Sequence, residues 1–211
     1  AVLCAFLCLA ACSTYGSSPF FAFKDLISAW DAKHPFGEGK YFEILNGENS
    51  EFLLKKQDFF SYTLVDRKEE NTEVFPIKFA NLSLPEAWKK HPVYIFQMRM
   101  PIEPLSGNYN EYKLAGLKGK YIYQYGLLAK DGKYSNRLYF IGTGMEGDTV
   151  RSEFRMKSLG ELRRTFKKRI EEKGIKPQDF EEKEISAYQI RAYTKAEFDV
   201  RIEELKAEDE R

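Results

Sequence analysis

Three cysteines, two histidines and two tryptophans are all that 211 residues offer of these types, and each scarcity closes a class of function. Two histidines with no cysteine or carboxylate at metal-ligand spacing do not make a zinc site. The cysteines, Cys4, Cys8 and Cys12, crowd into the first twelve positions, so no thiol chemistry or disulfide framework reaches the rest of the chain. An excess of one charge is missing too: 33 Lys plus Arg face 32 Asp plus Glu, a formal net charge of +1. Without a basic field the composition gives no support to nucleic acid as a partner. No apolar run approaches the ~20 residues of a membrane-spanning helix. With 14 Gly and 8 Pro the chain is also too poor in both for a fibrous protein. What it does have is 43% hydrophobic and 15% aromatic residues, enough to build a core. The length suits one domain.

The first twelve residues, AVLCAFLCLAAC, are apolar or small and break abruptly into STYGSSP. That run fits the apolar part of an export signal. Leu9-Ala10-Ala11-Cys12 resembles the lipobox of bacterial lipoproteins, a likeness confined to this first tenth of the chain. The resemblance implies that the Cys12 sulfur takes a diacylglyceryl group, that the signal is cut just before it, and that the new amine is acylated, commonly with palmitate. Residues 1–11 are then a removed export signal, 12–18 a lipidated tether and 19–211 a single domain. No initiator Met and no basic segment precede Ala1, so the sequence is expected to be truncated at this end. Cys4 and Cys8 would leave with the signal, and the mature chain would hold no free thiol. A tether of Ser13 to Ser18 reaches at most about 20 Å, which keeps the domain near its membrane. Ser13 after the lipidated residue resembles the outer-membrane sorting context. The partners implied are the membrane, through the N-terminal lipid, and an envelope or host protein.

The expected fold class is α+β: an antiparallel sheet of about seven or eight strands, an N-terminal helix and charged C-terminal helices. Ser18-Pro19 followed by Phe23, Leu26 or Ile27, and Trp30 predicts the first helix. Lys40–Leu45 and Glu51–Gln57 around Asn46-Gly47-Glu48-Asn49 predict a hairpin, and 59–68 with 72–82 a second, Pro76 marking an edge or a bulge. Ser83 with Glu86 forms a capping-box pattern for a short helix, and Val93–Met100 resumes as strand. Residues 101–119 read as a long loop. Asp131-Gly132 has the sequence of a two-residue turn, which would place Tyr123 opposite Phe140 and Tyr125 opposite Leu138. Thr149–Lys157 alternates as a further strand. Of the 65 charged residues, 31 fall in the last 61 positions. There, from about 158, Ser158 with Glu161 caps a helix carrying Leu159, Leu162, Phe166 and Ile170. Glu184–Tyr193 reads as strand, and Thr194 with Glu197 caps a last helix on Phe198, Ile202 and Leu205.

An Ala-Trp pair followed shortly by Lys-His-Pro occurs twice, at 29–35 and at 87–92, and uses both Trp and both His of the chain. The favoured reading makes each a helix end with Trp on the core and Lys and His at the C-terminal dipole; the other makes His34 and His91 a shared metal or proton site. Gly142-Thr143-Gly144-Met145-Glu146-Gly147 matches GxGxxG, but a strand pattern follows where a dinucleotide site needs a helix. No motif for hydrolysis, metal or calcium binding occurs. Tyr121, Tyr123 and Tyr125 form the one row suited to ligand binding, set against plain core packing. No cofactor and no catalytic residue is indicated. These readings favour a lipid-anchored cell-envelope lipoprotein acting as a binding or structural module; the rival is an extracytoplasmic hydrolase whose active site shows no motif.

Overall fold

The computed structural model describes residues 17–18, 20–22, 24–65, 73–101, 121–141, 145–146, 155–182 and 187–209. Cys12, the signal, most of the tether, the 102–120 stretch and most of the 142–154 stretch lie outside the described residues. Two short N-terminal strands, β1 (Ser17–Ser18) and β2 (Phe20–Ala22), are followed by an antiparallel meander: β3 (Tyr41–Asn46), β4 (Asn49–Lys56), β5 (Tyr62–Val65), β6 (Glu73–Leu82), β7 (Val93–Pro101), β8 (Tyr121–Lys130) and β9 (Arg137–Ile141). Then come β10 (Met145–Glu146), helix α1 (Leu159–Glu172), the short helix α2 (Asp179–Glu182), β11 (Tyr188–Tyr193) and helix α3 (Lys195–Asp209).

The sheet closes on itself. The order runs β8-β7-β6-β5-β4-β3-β11-β9, and β9 returns to β8, giving an eight-stranded antiparallel barrel with two main helices outside it. The strand count matches the expectation; closure adds that, among the described residues, the barrel wall leaves no strand at a free edge. Pro76 pairs with Thr63 in regular register but lies just short of the β6–β7 pairing, which begins at Ile77, so it takes a locally edge-like place close to the register shift between Leu64 and Val65.

The expected N-terminal helix is not formed. β9 pairs only with Leu127–Lys130 of β8, and β2 occupies the remaining stretch of that edge, with Phe20 opposite Tyr125 and Ala22 opposite Tyr123. Phe20, Phe21 and Ala22 are all buried, Phe20 edge-on to Phe166 of α1 at 5.3 Å. The helical spacing of 23–30 loses to tertiary bonds: the amides of Leu26 and Ile27 donate to Gln97 Oε1 on β7 at 3.0 and 3.3 Å. Gln97 also accepts from Tyr125 Oη at 2.8 Å and donates to Asp25 Oδ1 at 2.8 Å. One buried amide thus fastens a strap, residues 24–40, across the outside of the barrel. The strap then pairs Ala32 with Ala80 and drives Phe36 into the barrel mouth, where it meets Tyr62 and Phe79 edge-on at 5.2 and 5.1 Å.

Alternation divides each strand between two cores. Phe42, Ile44, Phe52, Leu54, Leu64, Ile77, Phe79, Phe96, Leu128 and Phe140 point inward. Outside, α1 buries Leu159, Leu162, Phe166 and Ile170 in the main core, while Phe198, Ile202 and Leu205 of α3 pack on Leu53 and Val65 as a second cluster. Both caps read from sequence form. Ser158 Oγ accepts from the Glu161 amide at 3.2 Å. Thr194 Oγ1 accepts from the Glu197 amide at 3.4 Å, and Glu197 Oε2 accepts in return from the Thr194 amide at 2.8 Å. The Ser83–Glu86 box does not: a single 3-10 turn, Glu86–Trp88, starts after Pro85 without a side-chain cap. Among the described residues no helix is long and apolar enough to cross a membrane.

Candidate functional site

The tyrosine row was set by the Asp131-Gly132 turn, and that register is not the one formed. Residues 131–136 make a longer loop: Asp131 Oδ1 accepts from the Lys133 and Tyr134 amides at 2.7 and 3.0 Å, and the Asp131 amide donates to the Arg137 carbonyl at 3.1 Å. Leu128 therefore faces Phe140 and Lys130 faces Leu138. The shift is odd, so it sends Leu138 and Phe140 into the barrel and leaves Tyr121, Tyr123 and Tyr125 on the outer face. Tyr125 is buried there under the strap, and burial pushes its phenol pKa far above the ordinary value. Tyr123 is half-buried against the core. Tyr121 is exposed, with the Arg99 guanidinium 4.9 Å from its ring centre.

An eight-stranded barrel is just wide enough either to be filled by side chains or to hold one small ligand. Here it is filled. The space among Phe36, Ile44, Phe52, Phe79, Phe96 and Phe140 is about 20 Å³ and entirely apolar, room for hardly more than one water and without a polar partner for it. Any recognition by the described residues has to use the outside.

On the outside a hollow of about 510 Å³ lies between β11 and α3 and is lined by Arg191, Tyr193, Glu197, Val200 and Arg201. Two of these side chains, Tyr193 and Arg201, bond a fully buried carboxylate. Glu43, on the outer face of β3, accepts from Tyr193 Oη at 2.5 Å and from Arg201 Nε at 3.0 Å, with Arg191 Nη1 4.0 Å away. Burial alone would raise the Glu43 pKa; hydrogen bonds from Tyr193, Ser50 and Arg201, with the Arg201 charge, outweigh it and hold the group below its ordinary range. Tyr193 is pushed up, by burial first and then by its bond to the carboxylate. The anion is thus fully answered by its own neighbours. The arrangement pins α3 to the barrel rather than presenting a base to a substrate. Sequence reasoning passed over Glu43, although a lone acid inside Tyr-Phe-Glu-Ile-Leu, and an arginine on the apolar side of α3, were the available signals.

The two Trp and two His do not share a site. His34 Nε2 lies 2.7 Å from the Phe59 carbonyl, which can only accept, so Nε2 carries the proton and Nδ1 accepts from Tyr62 Oη at 3.1 Å. His91 is buried; its Nδ1 accepts from the Gly132 amide at 3.2 Å, and its ring lies against Phe180. Trp88 packs on Phe180 as expected, but Trp30 does not reach the core and is 94% exposed. Two i to i+3 turns, at Ser28–Asp31 and Ala29–Ala32, replace the helix that would have carried it inward. Among the described residues no group of three His, Cys, Asp or Glu is placed to hold a metal ion. Compared with protein-family models, curated proteins and solved structures, the chain matches none.

Proposed function

We propose that this chain is a lipid-anchored envelope lipoprotein whose barrel is a binding or structural module that works through its outer surface. The anchor reading comes from Leu9-Ala10-Ala11-Cys12 at the polar break. The mode of action is carried by one observation: the barrel interior is packed with side chains and keeps about 20 Å³, too little for a lipid, sugar or peptide. The outer membrane is the proposed site, with an envelope or host protein as partner. The best-formed polar cluster, at Glu43, is internally neutralised, which favours a module over a hydrolase. The test is to express the precursor in a Gram-negative host fed labelled palmitate. The wild type should take the label and enter the detergent phase, and Cys12→Ala should do neither; an unlabelled, aqueous wild type ends the anchor reading.

A further inference from the structure

Exposed large apolar side chains are few among the described residues, and two of the most exposed, Trp30 at 94% and Phe59 at 80%, belong to segments tied together by one imidazole. His34, four residues after Trp30, bonds the Phe59 carbonyl, so the two aromatics lie on one rim of the barrel with Phe60, itself 43% exposed. A tryptophan that stands out of a fixed turn, where its segment could have packed it, suggests a surface that meets something apolar.

The charges around the rim favour an anionic bilayer. Asp31, beside Trp30, is already bonded to Ser28 Oγ at 2.6 Å and paired with Arg163 of α1 at 3.1 Å. Asp58 turns its Oδ1 inward onto the amides of Phe60 and Ser61 at 2.6 and 2.8 Å. What the rim segments 29–40 and 55–61 otherwise carry is Lys33, Lys40, Lys55 and Lys56 against Glu38. Aromatics on segments with an excess of lysine match the headgroup boundary, where indole and phenyl rings sit among the acyl ends and ammonium groups meet lipid phosphates.

We propose that this rim is a membrane-contact surface, laying Trp30 and Phe59 into the headgroup boundary of an anionic leaflet. The inference rests on the anchor reading only for the nearness of the bilayer. It fixes how the barrel stands: rim down, with α1 and α3 alongside.

The chain supplies its own probe. It has two tryptophans, and Trp88 is buried, so a change in emission on meeting lipid reports Trp30. The processed, lipidated protein is reconstituted into phosphatidylcholine vesicles with and without phosphatidylglycerol, and bromolipid quenching is measured. The Trp30 signal should shift to the blue and be quenched, and Trp30→Phe should abolish both changes. Phosphatidylglycerol should favour the contact about five-fold, the effect of one lysine at a charged surface. Phe59→Ser, an exposed change that leaves the Trp88 emission unaltered, should reduce the quenching. Emission unmoved in both vesicles overturns the proposal. So does a photo-cross-linker at position 59 that captures a protein in intact envelopes while Trp30 stays unquenched. If the palmitate test fails, unmodified full-length chain is added to preformed vesicles for the same readout, so failure of the anchor and failure of the rim are told apart.

Discussion

At the scale of single residues, the most consequential charge is Glu43, because a buried carboxylate is stable only while every partner stays in place. Replacing it with Ala would take the acceptor from Tyr193 Oη and Arg201 Nε under α3, leaving Arg201 only its pairs with Glu204 and Glu208, and should cost about 3 kcal/mol. A carboxyl whose folded pKa lies below the unfolded value contributes stability that is complete above the unfolded value, 4.5 here, and is lost as pH falls through the folded one. Urea midpoints measured from pH 7 downward should therefore hold until about that point and then decline, with Glu43→Gln starting lower and declining less. An identical acid limb in the two proteins would show that Glu43 does not govern it. A second residue-scale constraint is steric. Gly126 faces Phe96 across β7 and β8 inside the barrel, and an added Cβ would lie 2.5 Å from Phe96 Cε1 and closer still to Cζ, too close for either atom to stay in place. Gly126→Ala should cost about 1 to 3 kcal/mol as overpacking, and Phe96→Leu in the same chain should recover part of it. If the double variant is no better than Gly126→Ala, the ring is not the obstacle.

At the scale of elements, what governs legibility is whether an element is set by its own residues. α1 and α3 carry their caps and apolar stripes within a few positions, so Ser158, Glu161, Thr194 and Glu197 could be read directly. The hairpin of β3 and β4 was readable for the same reason: Gly47 takes φ +62° at its turn. The strap was not. Its apolar spacing is compatible with a helix, and what unwinds it is Gln97, some seventy residues further on. The β8–β9 register failed on the Asp131 side chain, which captures two amides and lengthens the loop. The candidate site was legible only as composition: three tyrosines in a row signal a face, but the face they share depends on that register. The strap gives the element-scale prediction. Gln97→Leu would remove the acceptor shared by the Leu26 amide, the Ile27 amide and Tyr125 Oη, and should cost about 2 to 3 kcal/mol. It should also raise hydrogen exchange over residues 24–36 while the exchange of α3 stays unchanged. Uniform loosening of the molecule would mean that the strap is not held separately.

At the scale of the whole molecule, closure is the property no local pattern announced, because it joins β9 to a strand some fifty residues later. The seam is narrow. β11 lies along β3 through six residue pairs, from Tyr188 with Asn46 to Tyr193 with Tyr41, but meets β9 only at Tyr188 with Leu138 and Gln189 with Arg137. One further bond, from the Ile190 amide to the Asn136 carbonyl at 2.6 Å, completes it. By contrast β7 and β8 share nine pairs. A seam with so few bonds, whose closure entropy is large because the connecting segment is long, should open before the wall does. Under native conditions the amides of β9 and the β9-facing amides of β11 should exchange through a local opening at a free energy below the global one. Those of β7 and β8 should exchange only on global unfolding. A disulfide placed across the seam by Leu138→Cys with Tyr188→Cys would remove that opening and bring seam exchange up to the global limit, provided the engineered thiols pair. Seam amides as slow as those of β7 in the unmodified protein would show instead that the barrel opens and closes as one unit.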